Sequence, residues 1–391
     1  MNRSIYQLFD VVQHTLKNTP YDQAIYDEPS FCKLAHENGL SGMIFSTLSK
    51  QSLSKPCYDL FKKDFYAYHA NDIKQLELIE KLKDIFNEAK IKHVFLKGVH
   101  LKKVYPASYM RAMYDIDLLI DEAKFKFVKP LLHKNGFKLK VTSEAHDNYQ
   151  HESGVIIEVH PKLTTTFNQT QEKFFDKAWD YANQDNHYTY TFNYAFELVY
   201  LLHHMAKHFY GSGVGLRSIL DIGLYIETYK DSIKLDKLSL YLKQTEYTKF
   251  FQTILYLNNE YFKLNPLPLV LKDYQLDKVY YDRLTNTIIT SGIHGTGANN
   301  NQFIGRVASH KLRNETRFTL LRRIIFPSYK TMIGSYPCLR KLPFLLPIAY
   351  ILRLFKLSIL QAKMSFRKLK QLSRSHDDAD QTAKLYKEIG L

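Results

Sequence analysis

The sequence predicts an α+β fold, a small mixed sheet embedded in mostly helical N- and C-terminal segments. Three observations predict it. From Ile5 to Ala89 apolar residues recur at intervals of three and four, as in Phe61, Phe65, Tyr68, Ile73, Leu76, Leu78 and Leu82, which is the period of a helix face. Between Ile91 and Leu163 that period gives way to short apolar runs and alternation, the pattern of strands. From Phe174 to about Leu271 long helical stripes return. The chain of 391 residues exceeds one compact core and divides by pattern into a helical segment (1–90), an α/β core (91–165), a second helical segment (166–290) and a basic amphipathic region (303–391).

Within the core, His93-Val94-Phe95-Leu96 is an apolar run that ends in Lys97-Gly98, so a strand and a turn are expected, then a short helix that Pro106 stops. Tyr114 to Ile120 alternates and then becomes fully apolar, a second strand. Asp121-Glu122 are acidic helix-start residues, and Phe125, Val128, Leu131 and Leu132 form a helical stripe that closes at Asn135-Gly136. Two further strands are expected at Phe137–Val141 and Val155–His160, on either side of a polar loop from Thr142 to Gly154. Ser291 to Gln302, rich in Gly and Asn, reads as a linker.

The chemistry concentrates in Asp115-Ile116-Asp117. Side chains alternate along a strand, so aspartates two apart share a face. Two such carboxylates repel each other, and placing them at the start of an apolar strand makes sense where a cation neutralises them. Hard divalent ions take oxygen ligands, and magnesium needs only one or two protein carboxylates when substrate phosphates supply the rest. Glu158, in the otherwise apolar Val155-Ile-Ile-Glu-Val, is the third acid that would complete a site for two ions. Lys97 and Gly98 could offer an ammonium and a close backbone approach to a triphosphate, and Arg111 a guanidinium clamp. The alternative is structural: solvent-facing aspartates on an edge strand, with Glu158 paired to a lysine.

Together, Phe95-Leu-Lys-Gly98, Tyr105-Pro106, Arg111-x-Met-x-Asp115-Ile-Asp117-Leu-Leu and Ile157-Glu158-Val-His160 resemble the uncharacterised bacterial nucleotidyltransferase family, a branch of the DNA polymerase beta-like superfamily. The resemblance implies transfer of a nucleoside monophosphate from a nucleoside triphosphate to an unspecified hydroxyl acceptor, with two Mg2+ on Asp115, Asp117 and Glu158 and the phosphates on Lys97, Gly98 and Arg111. His204-x-x-x-His208, the stretch Gly213–Asp221 with Arg217 and Asp221, and Ile325-Phe-Pro327 are similar to weaker patterns of that family. One position departs: Val99 follows Gly98 where many members carry a serine against the terminal phosphates. That departure supports a second expectation, an inactive nucleotidyltransferase-fold binding protein recruited to a membrane surface or an envelope polysaccharide assembly.

Other residues admit two readings each. His160 shares a strand face with Glu158 and could orient the metal shell or be structural. His204 and His208, one helical turn apart without an HExxH glutamate, fit a mutually satisfied pair better than a zinc site. Arg217 and Asp221, at i and i+4, could reach the site from the helical half or pair with each other.

The net charge of +15 is local: Arg306 to Arg374 holds sixteen Lys and Arg against the single acid Glu315. Cationic residues alternate there with Phe318, Leu320, Ile324, Phe326, Tyr350 and Phe355, and Leu342 to Leu352 is too short for the roughly 20 residues that span a bilayer. An anionic membrane surface is the favoured partner of residues 306–374; nucleic acid is the other that such charge would serve. Three widely spaced cysteines, Cys32, Cys57 and Cys338, argue against a disulfide framework, and with no secretory signal at Met1–Thr15 the expected place is cytoplasmic, peripheral on the inner membrane if the basic region binds there.

Overall fold

The computed structural model describes residues 3–48, 53–143, 146–163, 168–211, 213–264, 267, 270, 274–293, 322, 325–327, 329–340, 342–359 and 376–391. Its helices are α1 (Arg3–Leu16), α2 (Glu28–Glu37), α3 (Ser41–Ile44), α4 (Lys55–Glu88), α5 (Gly98–Leu101), α6 (Phe125–Lys134), α7 (Gln169–Phe175), α8 (Tyr194–Tyr210), α9 (Leu216–Tyr229), α10 (Leu235–Gln244) and α11 (Thr248–Phe262). Further helices cover Lys278–Ser291, Tyr329–Ser335, Leu346–Ile359 and His376–Ile389. The strands are β1 (His93–Phe95), β2 (Asp115–Ile120), β3 (Phe137–Thr142), β4 (Asp147–His151), β5 (Ile156–His160), β6 (Ala182–Asn186) and β7 (Thr189–Phe192).

One seven-stranded mixed sheet runs in the order β3-β4-β5-β2-β1-β7-β6. β2 lies at its centre, antiparallel to β1 and parallel to β5. Alternation along β2 assigns its two faces. Ile116, Leu118 and Ile120 join Leu78, Leu82 and Phe86 of α4 and Val128 and Leu132 of α6 in one apolar cluster. Leu119 points the other way, with Val94 and Leu96, into a larger core built by α1, α2, α8, α9 and α11. Asp115 and Asp117 therefore sit on the side of that larger core, at its edge. The buried His93 ties two strands, its Nδ1 meeting the Ile91 carbonyl and its Nε2 the Thr189 hydroxyl on β7; burial pushes this imidazole down to about 4, so it stays neutral.

Several expectations are corrected. The polar loop 142–154 contains β4, whose single buried side chain is Tyr149; the rest is polar, so no apolar alternation marks it. The segment 166–290 is not wholly helical, since β6 and β7 complete the sheet from within it; β6 is an exposed polar edge strand and β7 has only four residues. The region before Ile91 is helical as expected, with four helices among the described residues; α4, the longest at 34 residues, packs its second half on the sheet. Cys32 and Cys57 form a disulfide with Cα atoms 6.0 Å apart, because α2 packs against the first turn of α4, a proximity that linear spacing does not reveal. The cysteine argument for a reducing compartment lapses with that pairing.

The C-terminal region is also divided. Leu385, Tyr386 and Ile389 are buried in the large core, the Tyr386 hydroxyl donates to the Phe209 carbonyl, and Thr253 donates to the Ile389 carbonyl. The last helix is thus part of the helical half, so the region 303–391 is not one basic amphipathic segment throughout. The linker beyond Ile293 and most of the basic segment, residues 306–321 and 360–375, lie outside the described residues. Within 329–359 a small cluster forms around Met332, Leu339 and Ala349, while Phe344, Ile348, Ile351, Leu352 and Phe355 are exposed. No helix among the described residues is long and apolar enough to cross a membrane.

Docking of the last helix gives a direct test. Ile389→Ala should cost about 2–5 kcal/mol in urea denaturation, whereas a peripheral tail would tolerate it with no shift of the midpoint.

Candidate active site

The site is assembled where β1 ends and β2 begins, beside β5, with side chains of α8 coupled to it electrostatically. β2 and β5 are parallel with Asp117 directly beside Glu158, so the two side chains leave the same face of the sheet. Asp115 lies two residues earlier on that face. The structure therefore brings the three predicted acids onto one surface, flanked by Lys97 at the end of β1 and His160 at the end of β5.

Asp117 is the most buried of the acids, 5% exposed, and its charge is fully countered. Lys97 Nζ donates to Asp117 Oδ1 at 2.8 Å, and His160 Nε2 lies 3.0 Å from the same oxygen. Burial alone would raise this carboxyl, but the Lys97 ammonium and the His160 hydrogen bond outweigh it and hold Asp117 well below the usual carboxylate range. Burial likewise opposes the Lys97 charge, and Asp117 outweighs it, keeping the ammonium well above its usual value. Asp115 has no such partner. Burial and the adjacent Asp117 push it up to about 7, with Lys97 offsetting part of the effect. One buried cation thus serves a pair of acids with Glu158 beside them, and that donor set of hard oxygens with unbalanced negative charge fits magnesium.

Lys97 reaches Asp117 from a strained backbone, φ 48° and ψ −108°, in a region that side-chain-bearing residues rarely adopt. Gly98 follows it for a packing reason: a Cβ there would lie 2.4 Å from the sulfur of the buried Met113. Val99 turns into the apolar cluster with Phe95 and Met113. The residue after Gly98 is thus a core residue in this chain and offers no hydroxyl.

Arg111 is diverted from the role expected of it. Its Nε and Nη2 donate to Asp221 at 3.2 and 2.9 Å, its Nη1 donates to the Ala112 carbonyl, and the Tyr105 hydroxyl donates to Asp221 at 2.9 Å. As placed, the guanidinium fastens the segment before β2 to α9, with three of its five N–H donors engaged. The same contacts overturn the Arg217–Asp221 helix pair as the account of those residues, since Asp221 is bound by Arg111. Arg217 is 6% exposed, and its Nε and Nη1 have no hydrogen-bond partner. Its guanidinium carbon lies 5.9 Å from the ring centre of Tyr114, the neighbour of Asp115.

α8 supplies the opposite wall. Tyr200, His204 and Lys207 feel the charges of the site: burial pushes Tyr200 up to about 12, burial and Lys97 hold His204 well below its usual range, and burial and Lys97 lower Lys207. His204 Nε2 meets His208 Nε2 at 3.0 Å, so these two satisfy each other across one helical turn. A cavity of about 650 Å3 lined by Tyr181, Asn193, Glu197 and Lys234 opens beside the first turn of α8 and includes none of the three acids. Sequence reasoning missed Tyr200, Lys207, Asn148 and His146. The last two come from the polar strand β4 and the residue just before it, where no spacing signal distinguishes a site residue from a loop residue.

A family model described as an uncharacterised nucleotidyltransferase matches residues 26–263. The chain belongs to that family. The match begins just before α2 and runs through α11, so the family covers the helices on both sides of the sheet as well as the acidic strands. No curated protein and no solved structure matches the chain.

The charge pattern predicts a pH signature of the metal-free protein. The folded-state value of Asp115 lies above its unfolded value of 3.8, so the folded chain holds a proton that the unfolded chain releases between about pH 4 and about 7. Its contribution to stability is present below that window and is lost as pH rises through it. Asp115→Asn should remove this component, so the variant's melting temperature relative to wild type should climb between pH 4 and 7; parallel curves would contradict the placement.

Proposed function

We propose that this protein is a metal-dependent nucleotidyltransferase that moves a nucleoside monophosphate from a nucleoside triphosphate to a hydroxyl acceptor. The single observation that carries the proposal is the register of β2 and β5, which sets Asp117 beside Glu158 with Asp115 on the same face, inside a chain of nucleotidyltransferase family membership. Three acids on one face, only one of them paired with the buried Lys97, are costly to keep without a cation to hold.

In this proposal Asp115, Asp117 and Glu158 would hold two Mg2+, which when bound would polarise the phosphates and make the acceptor hydroxyl easier to deprotonate. The acceptor oxygen attacks the α-phosphorus, the bond to the β,γ-pyrophosphate breaks, and pyrophosphate leaves with the electron pair. Glu158, with 20% of its side chain exposed, would take the acceptor's proton. Lys97 changes partner: displaced from Asp117, its ammonium turns to the phosphates. Arg217, buried with two unpaired nitrogens, is the guanidinium available for the same anion while Arg111 remains on Asp221.

The test is calorimetric titration of the protein with each nucleoside triphosphate, with and without Mg2+. Binding should require the metal, fall at least about tenfold in Asp115→Asn/Asp117→Asn, and weaken in Arg217→Gln. Absence of binding by every triphosphate would sink the enzyme proposal and leave the inactive binding protein in its place.

A second role is favoured by one observation. Phe344, Ile348, Ile351, Leu352 and Phe355 stand exposed on and beside the helix Leu346–Ile359, within a segment carrying sixteen basic residues and one acid. That combination suits an anionic lipid surface, with the apolar side chains entering the interface and the charges meeting the headgroups. Co-sedimentation with vesicles containing anionic lipid should retain the protein, neutral vesicles should not, and Ile351→Ser/Phe355→Ser should reduce retention. Equal binding to both kinds of vesicle, or none to either, would refute it.

A further inference from the structure

Beside the three acids lies a second group of ligand-capable atoms that magnesium chemistry does not use. β4 runs antiparallel to β5 with Asn148 opposite Glu158 and Asp147 opposite Val159, so His146, one residue before β4, arrives over His160. The two imidazole rings have centroids 4.9 Å apart. His146 Nε2 lies 3.6 Å from Glu158 Oε1, and His160 Nε2 lies 3.8 Å from Glu158 Oε2. The three ligand groups offer atoms that all fall within 4.8 Å of one another.

These distances are the informative part. A histidine that simply neutralised Glu158 would close to about 2.7–2.9 Å, the length of a charge-assisted hydrogen bond; 3.6 and 3.8 Å are too long for any hydrogen bond. They match instead the separation of two ligands on a common ion, which is about 3.4 Å for a tetrahedral set with bonds of about 2.1 Å. The supporting contacts agree. Asn148 Nδ2 donates to Glu158 Oε1 at 3.1 Å and so orients the carboxylate from behind, and Asn148 Oδ1 is buried with no hydrogen-bond partner.

We propose that His146, Glu158 and His160 bind a divalent cation of the borderline class, Zn2+, beside the Asp115–Asp117 pair. Two imidazoles and one carboxylate form a three-ligand set that leaves a position open for water or substrate, and nitrogen ligands favour the later first-row metals over Mg2+. For His160 to join, its Nε2 must give up the contact with Asp117 Oδ1, with the ring proton carried on Nδ1. The site shares Glu158 with the proposed nucleotidyl transfer but goes beyond it, and it is defined by metal binding in the absence of any nucleotide.

The experiment titrates Zn2+, Mn2+ and Mg2+ separately into the metal-free full chain by calorimetry, without nucleotide. Non-reducing conditions keep Cys32 and Cys57 bonded, since with Glu28 they form the other cluster of ligand atoms among the described residues. One equivalent of Zn2+ should bind more tightly than Mg2+, and His146→Gln and Glu158→Gln should each weaken it at least about tenfold. Melting curves of the metal-free variants check the fold. Independently of any variant, the Co2+ form of the wild type should absorb in the visible as a nitrogen-ligated site of low coordination number. Zinc affinity unchanged in both variants, or a Co2+ spectrum of an all-oxygen six-coordinate site, overturns the proposal. Loss of zinc binding in His146→Gln with Mg2+-dependent nucleotide binding retained would support both assignments; failure of nucleotide binding with zinc binding intact would remove the transferase proposal alone.

Discussion

The constraint on which the site depends is the period of two along β2. Because Asp115 and Asp117 must leave the same side of a central strand, two carboxylates are forced together at the rim of a core that excludes water. Nothing in the local sequence relieves them. Relief comes from the flanking strands, as Lys97 at the end of β1 and His160 at the end of β5 both converge on Asp117 Oδ1. The strained backbone of Lys97 follows from that demand, since the chain must leave β1 and turn at once into α5 while its ammonium points back at β2.

A ring of further buried charge holds the segment between β1 and β2 in place. Lys102 is bound by Asp72 of α4 at 2.5 Å, and Ser108 donates to the same carboxylate. Arg111 is bound bidentately by Asp221 of α9, with the Tyr105 hydroxyl completing the group. Buried ion pairs such as these add little net stability compared with apolar packing of the same volume, but removing one partner leaves an uncompensated charge. Their effect is geometric. They fix residues 98–114 to α4 on one side and α9 on the other, and so fix the direction in which Asp115 enters the sheet.

The acidic strand, its flanking Lys97 and the later Glu158 were legible in the sequence because they rest on local rules: side-chain alternation, apolar runs, and the improbability of bare charge among valines and isoleucines. The helices on either side were legible for the same reason. β4 and β6 were not, since both carry polar side chains on edge or near-edge strands where pairing and not burial defines the element. The ion pair of Arg111 was not legible because its partner lies 110 residues away, and no spacing rule connects a residue before β2 with the middle of α9. The Cys32–Cys57 bond and the buried C-terminal helix are likewise contacts between elements distant in sequence, invisible until the elements are packed.

The balance of charge explains how one arrangement can be stable before substrate arrives and responsive afterwards. Asp115, Asp117 and Glu158 carry up to three negative charges, and the one buried ammonium bound among them is Lys97. Asp115 settles the difference by holding a proton near neutrality, which is why burial and Asp117 raise it while Asp117 itself is lowered. A divalent ion on this face would bring more positive charge than Lys97 and would displace it from Asp117 rather than bind alongside, since like charges at such range repel. The released ammonium, with Lys207 of α8 coupled to Asp117 and Glu158, would then be a cation for a triphosphate arriving with the metal. In the proposed transferase Lys97 would serve as an internal counter-ion that keeps the acids together until a metal–nucleotide pair replaces it, and the same exchange would supply a cation for the incoming phosphates.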